Sequence, residues 1–177
     1  VLFVIDGAYA EYVGPDYEAA IRDLVDRRAN TVMMRTFSKI HGLAAARLGW
    51  AYLPQEIAET FQRIRGPFNV NSLAVAAGIA SISDPAFITM SREHNTLWRA
   101  KMIDALNTMG LATPVSHANF VIPDFGSAAA HAFLKDRDIL VRAIAGYGLP
   151  ARLRISVGSA QDNEAVLAAL KDFTASR

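Results

Sequence analysis

The amino-acid sequence predicts an α/β protein: a layer of mostly parallel sheet, followed by a small α+β domain. Three observations predict it. Apolar, β-branched runs alternate with stretches of helical periodicity in the first third of the chain. Short strand-like runs separated by helical stretches occupy the second half. Polar residues suited to chemistry stand at the ends of the first runs, where an open α/β sheet binds its ligands.

Each element has a local reason. "VLFVID" is apolar and β-branched, as a buried parallel strand is, and ends at Asp6. Such a strand needs neighbours on both sides, so the sequence is expected to be a piece of a longer protein whose preceding half is missing. Tyr17 to Arg28 has helical spacing, with Asp16 expected as its cap after Pro15. "NTVMMRTF" is a second strand, and "RLGWAYL", Arg47 to Leu53, a third. Pro54 opens a helix. "SLAVAAGIASI" is a small-residue helix, and a long amphipathic helix runs from "SDPAF" to about Met109. Strands occur around "NFVI", "ILVRAI" and "RLRISV", with helices at Ser127–Arg137 and Asp162–Thr174. The expected domains are residues 1–80 and 81–177.

Bulk properties narrow the function. The chain has 177 residues, 52% hydrophobic and 20% charged, enough for a core in one medium domain or two small ones. A net charge of +1, with both signs dispersed, gives no support to a nucleic-acid or membrane-surface partner. No apolar run reaches the ~18 residues of a membrane span. Zero cysteines exclude disulfides, thiolate metal centres and a cysteine nucleophile, and fit a cytoplasmic location. His94, His117 and His131 are too scattered for a metal site.

The chemistry-bearing residues form a set. Asp6 ends the first strand, with Tyr9 three residues on. Ser38 and Lys39 come after the second strand, and Arg47 opens the third. Lys39 is one of only four lysines against fourteen arginines, and it is placed between a serine and a Gly/Ala-rich loop. Pyridoxal 5′-phosphate asks for such a set: a lysine amine for its aldehyde, a carboxylate to keep its ring nitrogen protonated, and hydroxyls or cations for its phosphate. Asp6 suits the ring proton and Tyr9 the ring oxygen. Thr36, Ser38 and Arg47 suit the phosphate. Singly, each has an ordinary explanation: a turn for Asp6, a half-buried ring for Tyr9, a surface charge for Arg47. Order and spacing together carry the reading. His41 is given no catalytic role, because the lysine itself can shuttle the proton.

"DGAYAEY", "TFSKIHGLAAARLGW", "PFNVN" and "LRISVG" together resemble the fold-type-I pyridoxal-phosphate-dependent aminotransferases, and within them the histidinol-phosphate aminotransferases. The family's D-x-A-Y signature falls on Asp6, Ala8 and Tyr9, and its S-K-x₇-R signature on Ser38, Lys39 and Arg47. Gly7 departs from the glutamate of many members. The resemblance implies part of a large, mostly parallel-sheet domain followed by a small one, together the latter half of such an enzyme. It also implies a role for Arg154 in gripping the substrate carboxylate, for Arg142 at the distal anion, and for Asn119 near the same region. A structural salt bridge is the ordinary alternative for both arginines, and Arg152 reads as a solvated strand residue. The implied reaction is transamination of L-histidinol phosphate with 2-oxoglutarate, in histidine biosynthesis, by a homodimer. The 177 residues alone are then expected to be inactive. "PFNVNSLA" reads as an element of domain or subunit packing. Aromatic-amino-acid aminotransferases and threonine-phosphate decarboxylases share the same core. A non-catalytic α/β binding module is the alternative of another class, against which stands the lack of a G-x-G-x-x-G or Walker-type loop.

Overall fold

In the computed structural model, which describes residues 1–176, the chain forms two compact units, Val1–Arg92 and the part from Glu93 onward. The division lies inside a continuous helix, later in the chain than the boundary expected after residue 80. Near the expected boundary the chain only bends, at Ser83 and Asp84, between two helices.

The first unit contains β1 (Phe3–Asp6), α1 (Ala10–Val13), α2 (Pro15–Asp26), β2 (Thr31–Thr36), β3 (Gly49–Tyr52), α3 (Gln55–Ile64), α4 (Ser72–Ile82) and the start of α5 (Pro85–Thr108). Its sheet has the order β1-β2-β3. β1 and β2 are parallel, with Asp6 opposite Met34. β2 and β3 are antiparallel, with Thr36 opposite Gly49. These three strands thus make one parallel and one antiparallel pairing. The connection from Thr36 to Gly49 holds only a 3-10 turn, Ala44–Ala46, and a parallel return needs a full crossover.

Strand alternation sorts the side chains by face. Ile5 and Met33 pack with Ile21 and Val25 of α2. Val4, Asp6 and Met34 therefore lie on the other face, and all three are exposed. Asp16 is not the cap of α2: Gly14 holds that position with φ +127°, Pro15 comes next at the first helical position, and Asp16 sits in the first turn, where a negative charge suits the helix dipole. Asn71 caps α4 through its side chain, accepting from Ala74 N at 2.8 Å.

The second unit contains the rest of α5, β4 (Phe120–Val121), α6 (Ala129–Lys135), β5 (Arg142–Ala143), β6 (Leu153–Ser156) and α7 (Ala160–Ala175). Its sheet order is β4-β6-β5, and both pairings are antiparallel. Met102 and Leu106 of α5, Val121, Leu134, Ile155, Leu170 and Phe173 form its core. Ser159 and Asp162 close a reciprocal capping box at the start of α7. Among the described residues no single helix is long and apolar enough to cross a membrane.

Candidate functional site

The turn after β2 is built to point two residues outward. Phe37 and Ile40 are 4% and 2% exposed, whereas Ser38 and Lys39 between them are half-buried. Backbone bonds close the turn: Gly42 N donates to Lys39 O and Leu43 N to Phe37 O, each at 2.9 Å, and Phe37 N donates to Leu48 O at 3.1 Å. Gly42 takes φ +70°, which an L side chain rarely adopts. Ile40→Ala is expected to destabilise the protein by about 2–4 kcal/mol through the cavity it leaves, measurable by denaturant unfolding.

Lys39 Nζ lies over the Tyr9 ring, 5.2 Å from its centroid. Parallel pairing of β1 with β2 brings the two strand ends side by side, with Tyr9 following Asp6 and Lys39 following Thr36. Asp6 Oδ1 accepts from Ala8 N at 3.1 Å and shapes the bend toward Tyr9. Thr36 Oγ1 accepts from Ser38 N at 3.0 Å. Arg47 caps the 3-10 turn in the left-handed region, φ +55°, and its Nη1 donates to Ala44 O at 2.8 Å. A non-glycine residue held there carries backbone strain, of a kind that concentrates at functional positions. Asp6, Lys39 and Arg47 make no ion pair among the described residues.

Behind this surface lies a cluster that the sequence reading missed. Arg35 alternates with Met33 on the α2 face of β2 and is 6% exposed. Its Nη2 meets Glu11 Oε1 at 2.7 Å and Glu18 Oε1 at 3.2 Å. Burial alone would lower the Arg35 pKa, but the bonds and charges of Glu11 and Glu18 outweigh it and hold the value above the ordinary one. His41 Nε2 faces Glu11 Oε1 at 3.8 Å, while its Nδ1 lies 2.7 Å from Ser81 Oγ. Burial pushes the imidazole below its usual pKa, against the pull of Glu11. His41 is thus turned into the interior. The one available signal for the cluster was a charged residue at a core-facing position of an otherwise apolar strand, in "TVMMRT".

In the second unit, Arg142 on β5 stands directly opposite Arg154 on β6. Side chains so placed have Cβ atoms about 5 Å apart, and like charges there repel. Leu153 and Ile155 point into the core, which leaves Arg154 on the other face, over the Phe120 ring at 5.1 Å. Arg154 Nε is buried with no hydrogen-bond partner. Arg142 Nη2 donates to the Tyr147 hydroxyl at 3.2 Å. Neither guanidinium is in a salt bridge among the described residues. Both line a cleft of about 640 Å³. Asp138 and Asp162 also line that cleft. Arg152, in contrast, is not simply solvated: its Nε donates to Asp124 Oδ2 at 3.1 Å. Asn119 stands opposite Val157, whose N donates to its carbonyl, and it is outside the lining of the arginine cleft.

The parallel strand ends thus bring a lysine amine over a tyrosine ring next to the Asp6 strand end. The chain belongs to the aminotransferase class I and II family, whose pattern it matches over residues 1–170. Among named relatives, it is 72% identical over 181 residues to the histidinol-phosphate aminotransferase of Hyphomonas neptunium, covering 100% of this chain and 49% of that protein. It is 47% identical to that of Granulibacter bethesdensis, covering 99% of this chain and 48% of the relative. Among solved structures, histidinol-phosphate aminotransferase from Sinorhizobium meliloti in complex with pyridoxal-5′-phosphate superposes with a TM-score of 0.87 at 31% identity, over 99% of this chain and 49% of that one. The chain spans about half the length of the curated relatives it matches.

Proposed function

We propose that the full-length protein is a pyridoxal-phosphate-dependent aminotransferase that moves the amino group of L-histidinol phosphate to 2-oxoglutarate, as a cytoplasmic homodimer in histidine biosynthesis. The observation that carries this reading is the Lys39 amine poised over the Tyr9 ring beside the Asp6 strand end. Similarity to enzymes named for that substrate supports the choice within the family. The strands and helices through α4 then represent the cofactor-binding domain, and the remainder of the chain represents the small domain.

The residues present fit the cofactor. The amine has no carboxylate partner among the described residues, the Asp6 carboxylate is exposed, and hydroxyls and a guanidinium lie just beyond β2. When bound, pyridoxal phosphate supplies the electron sink that makes a substrate Cα–H acidic. Asp6 would hold the proton on the ring nitrogen, and the Tyr9 hydroxyl would donate to the ring oxygen. Thr36, Ser38 and Arg47 would hold the phosphate. Lys39 Nζ would anchor the cofactor at rest and, when free, would take the proton from the substrate Cα and deliver it to the cofactor's C4′ carbon. Arg154 would grip the carboxylate of the amino-acid substrate and Arg142 the distal anion, a phosphate on one substrate and a side-chain carboxylate on the other.

Exposed apolar residues fit contact with further protein, whether a second subunit or the rest of a chain twice this length. On α4, Leu73, Ile79 and Ile82 are 81%, 63% and 67% exposed, and Phe68 just before it is 97% exposed. An apolar surface of that kind marks an interface.

The decisive experiment reduces the full-length protein with borohydride in the presence of pyridoxal phosphate and maps the peptides. A pyridoxyl mass on Lys39 is expected; an unmodified Lys39 in folded protein would remove the reading. Parallel kinetics with histidinol phosphate, phenylalanine and threonine phosphate then test the substrate, with histidinol phosphate expected to be preferred. Arg47→Gly separates side chain from backbone. It keeps the left-handed turn, with stability unchanged or raised by up to about 1 kcal/mol, yet weakens cofactor binding by roughly ten- to a hundredfold through loss of charge-assisted phosphate bonds. Fluorescence titration of the cofactor, beside thermal melting, checks both halves.

A further inference from the structure

The charges on the α2 face of the strand ends have no part in the roles above, and their place is unfavourable. Arg35 is all but enclosed, with 3% of its side chain exposed, and its Nε has no hydrogen-bond partner. Glu11 is nearly as deep, with 11% of its side chain exposed. Apolar side chains of similar volume would hold α1 against β2 without the desolvation of two ions. What an ion pair adds is direction.

Arg35 contacts both halves of the site from behind. Gly7 lies between Asp6 and Tyr9, and a Cβ built on it would come 2.8 Å from Arg35 Cδ and 2.9 Å from Met34 O. The Arg35 stem therefore lies directly against the backbone of the Asp6–Tyr9 segment, in space that only glycine leaves open. Gly7 N donates to Met34 O at 2.8 Å and fixes the same contact from the backbone. At its far end the guanidinium holds Glu11, two residues beyond Tyr9, and Glu18 on α2. Glu11 is itself held, since its carbonyl accepts from Arg92 Nε at 2.7 Å. Downstream, the Arg35 backbone runs through Thr36 into the Ser38–Lys39 turn, and Trp50 of β3 lies 5.5 Å from the guanidinium.

We propose that Arg35, oriented by Glu11 and Glu18 and seated on Gly7, is a positioning residue that sets the Asp6–Tyr9 segment against the Ser38–Lys39 turn. The proposal rests on the aminotransferase reading, in which those two segments hold one cofactor between them. Arg35 points away from the face that carries Asp6 and Thr36, so it acts by placing the segments. Errors of placement on the ångström scale are enough to matter for such a site.

The test uses the full-length protein in three forms: wild type, Arg35→Lys, and a double variant with Arg35→Met and Glu11→Leu. The double variant removes both buried charges, so neither is left unpaired. Three quantities are read: the dissociation constant for pyridoxal phosphate, the pH midpoint of the bound-cofactor absorbance band, and the thermal midpoint without cofactor. The double variant is expected to melt like the wild type, to bind the cofactor at least about tenfold more weakly, and to show a displaced absorbance midpoint. Arg35→Lys, which keeps a charge and loses the fork, is expected to fall between. Binding within about twofold of wild type at an unchanged absorbance midpoint would reduce the cluster to a structural ion pair and overturn the proposal. Should the double variant melt lower, Arg35→Lys decides: weaker binding at an unchanged thermal midpoint supports positioning, and wild-type binding overturns it. A wild-type protein that takes up no cofactor at Lys39 would instead bring down the aminotransferase reading, and this one with it.

Discussion

Lys39→Ala in the full-length protein is expected to lower kcat by about 10⁴-fold, because one amine both anchors the cofactor and carries the substrate proton. Stability should hardly change. The side chain is half-buried, and its contact with the Tyr9 ring is worth about 0.5–1 kcal/mol. A large kinetic loss at a nearly unchanged thermal midpoint is the signature. Added small primary amines should restore part of the proton transfer, since an exogenous base can occupy the space left by the side chain. Turnover by the alanine variant near the wild-type level would show that Lys39 is not the reacting amine. Steady-state kinetics beside a melting curve decide it.

Asp6→Asn is expected to have the next largest effect. Asparagine has the same shape and keeps an oxygen to accept from Ala8 N–H, so the bend after β1 survives. What is lost is the negative charge. A neighbouring carboxylate raises the pKa of a protonated ring nitrogen by about 1–3 units, and each unit is a tenfold change in the protonated fraction once the pKa falls below the working pH. This fixes the sign: the loss is smallest at low pH, where the ring nitrogen stays protonated unaided, and grows as pH rises. The expected fall in kcat/KM at neutral pH is about 10²–10³-fold. A pH profile of kcat/KM for both proteins checks size and slope. An equal loss at every pH would mean that Asp6 acts through structure.

The candidate residues could be read from the sequence because they stand at strand ends, and strand ends are marked by the change from apolar runs to Gly, Ser and Asp. Asp6, Tyr9, Ser38, Lys39 and Arg47 could be named for that reason. The antiparallel direction of β3 was not read from the sequence, although the cue was present. A segment as short as that from Phe37 to Leu48, holding only a 3-10 turn, cannot carry a chain back for a parallel return. Arg35 and Glu11 escaped for a different reason. Burial of a charge depends on which partner the fold brings to it, and Glu11 and Arg35 are joined only after α1 has packed on β2. Arg152 shows the same limit in the second unit, where Asp124 reaches it across an isolated bridge. The placement of Asp16 inside α2 has a local cause, since Pro15 takes the first helical position and Gly14 the cap.

The buried pair Phe37 and Ile40 makes the lysine turn a matter of counting. Both ends of the turn are anchored in the interior, and two residues bridge the outside between them. Removing one of the two would pull the amine inward or force an anchor into water. Adding one would swing the amine away from the Tyr9 ring. A change of side chain at Ser38 leaves that frame standing, whereas a single-codon deletion or insertion there breaks it. At this turn the spacing of the chain is guarded more strictly than its chemistry.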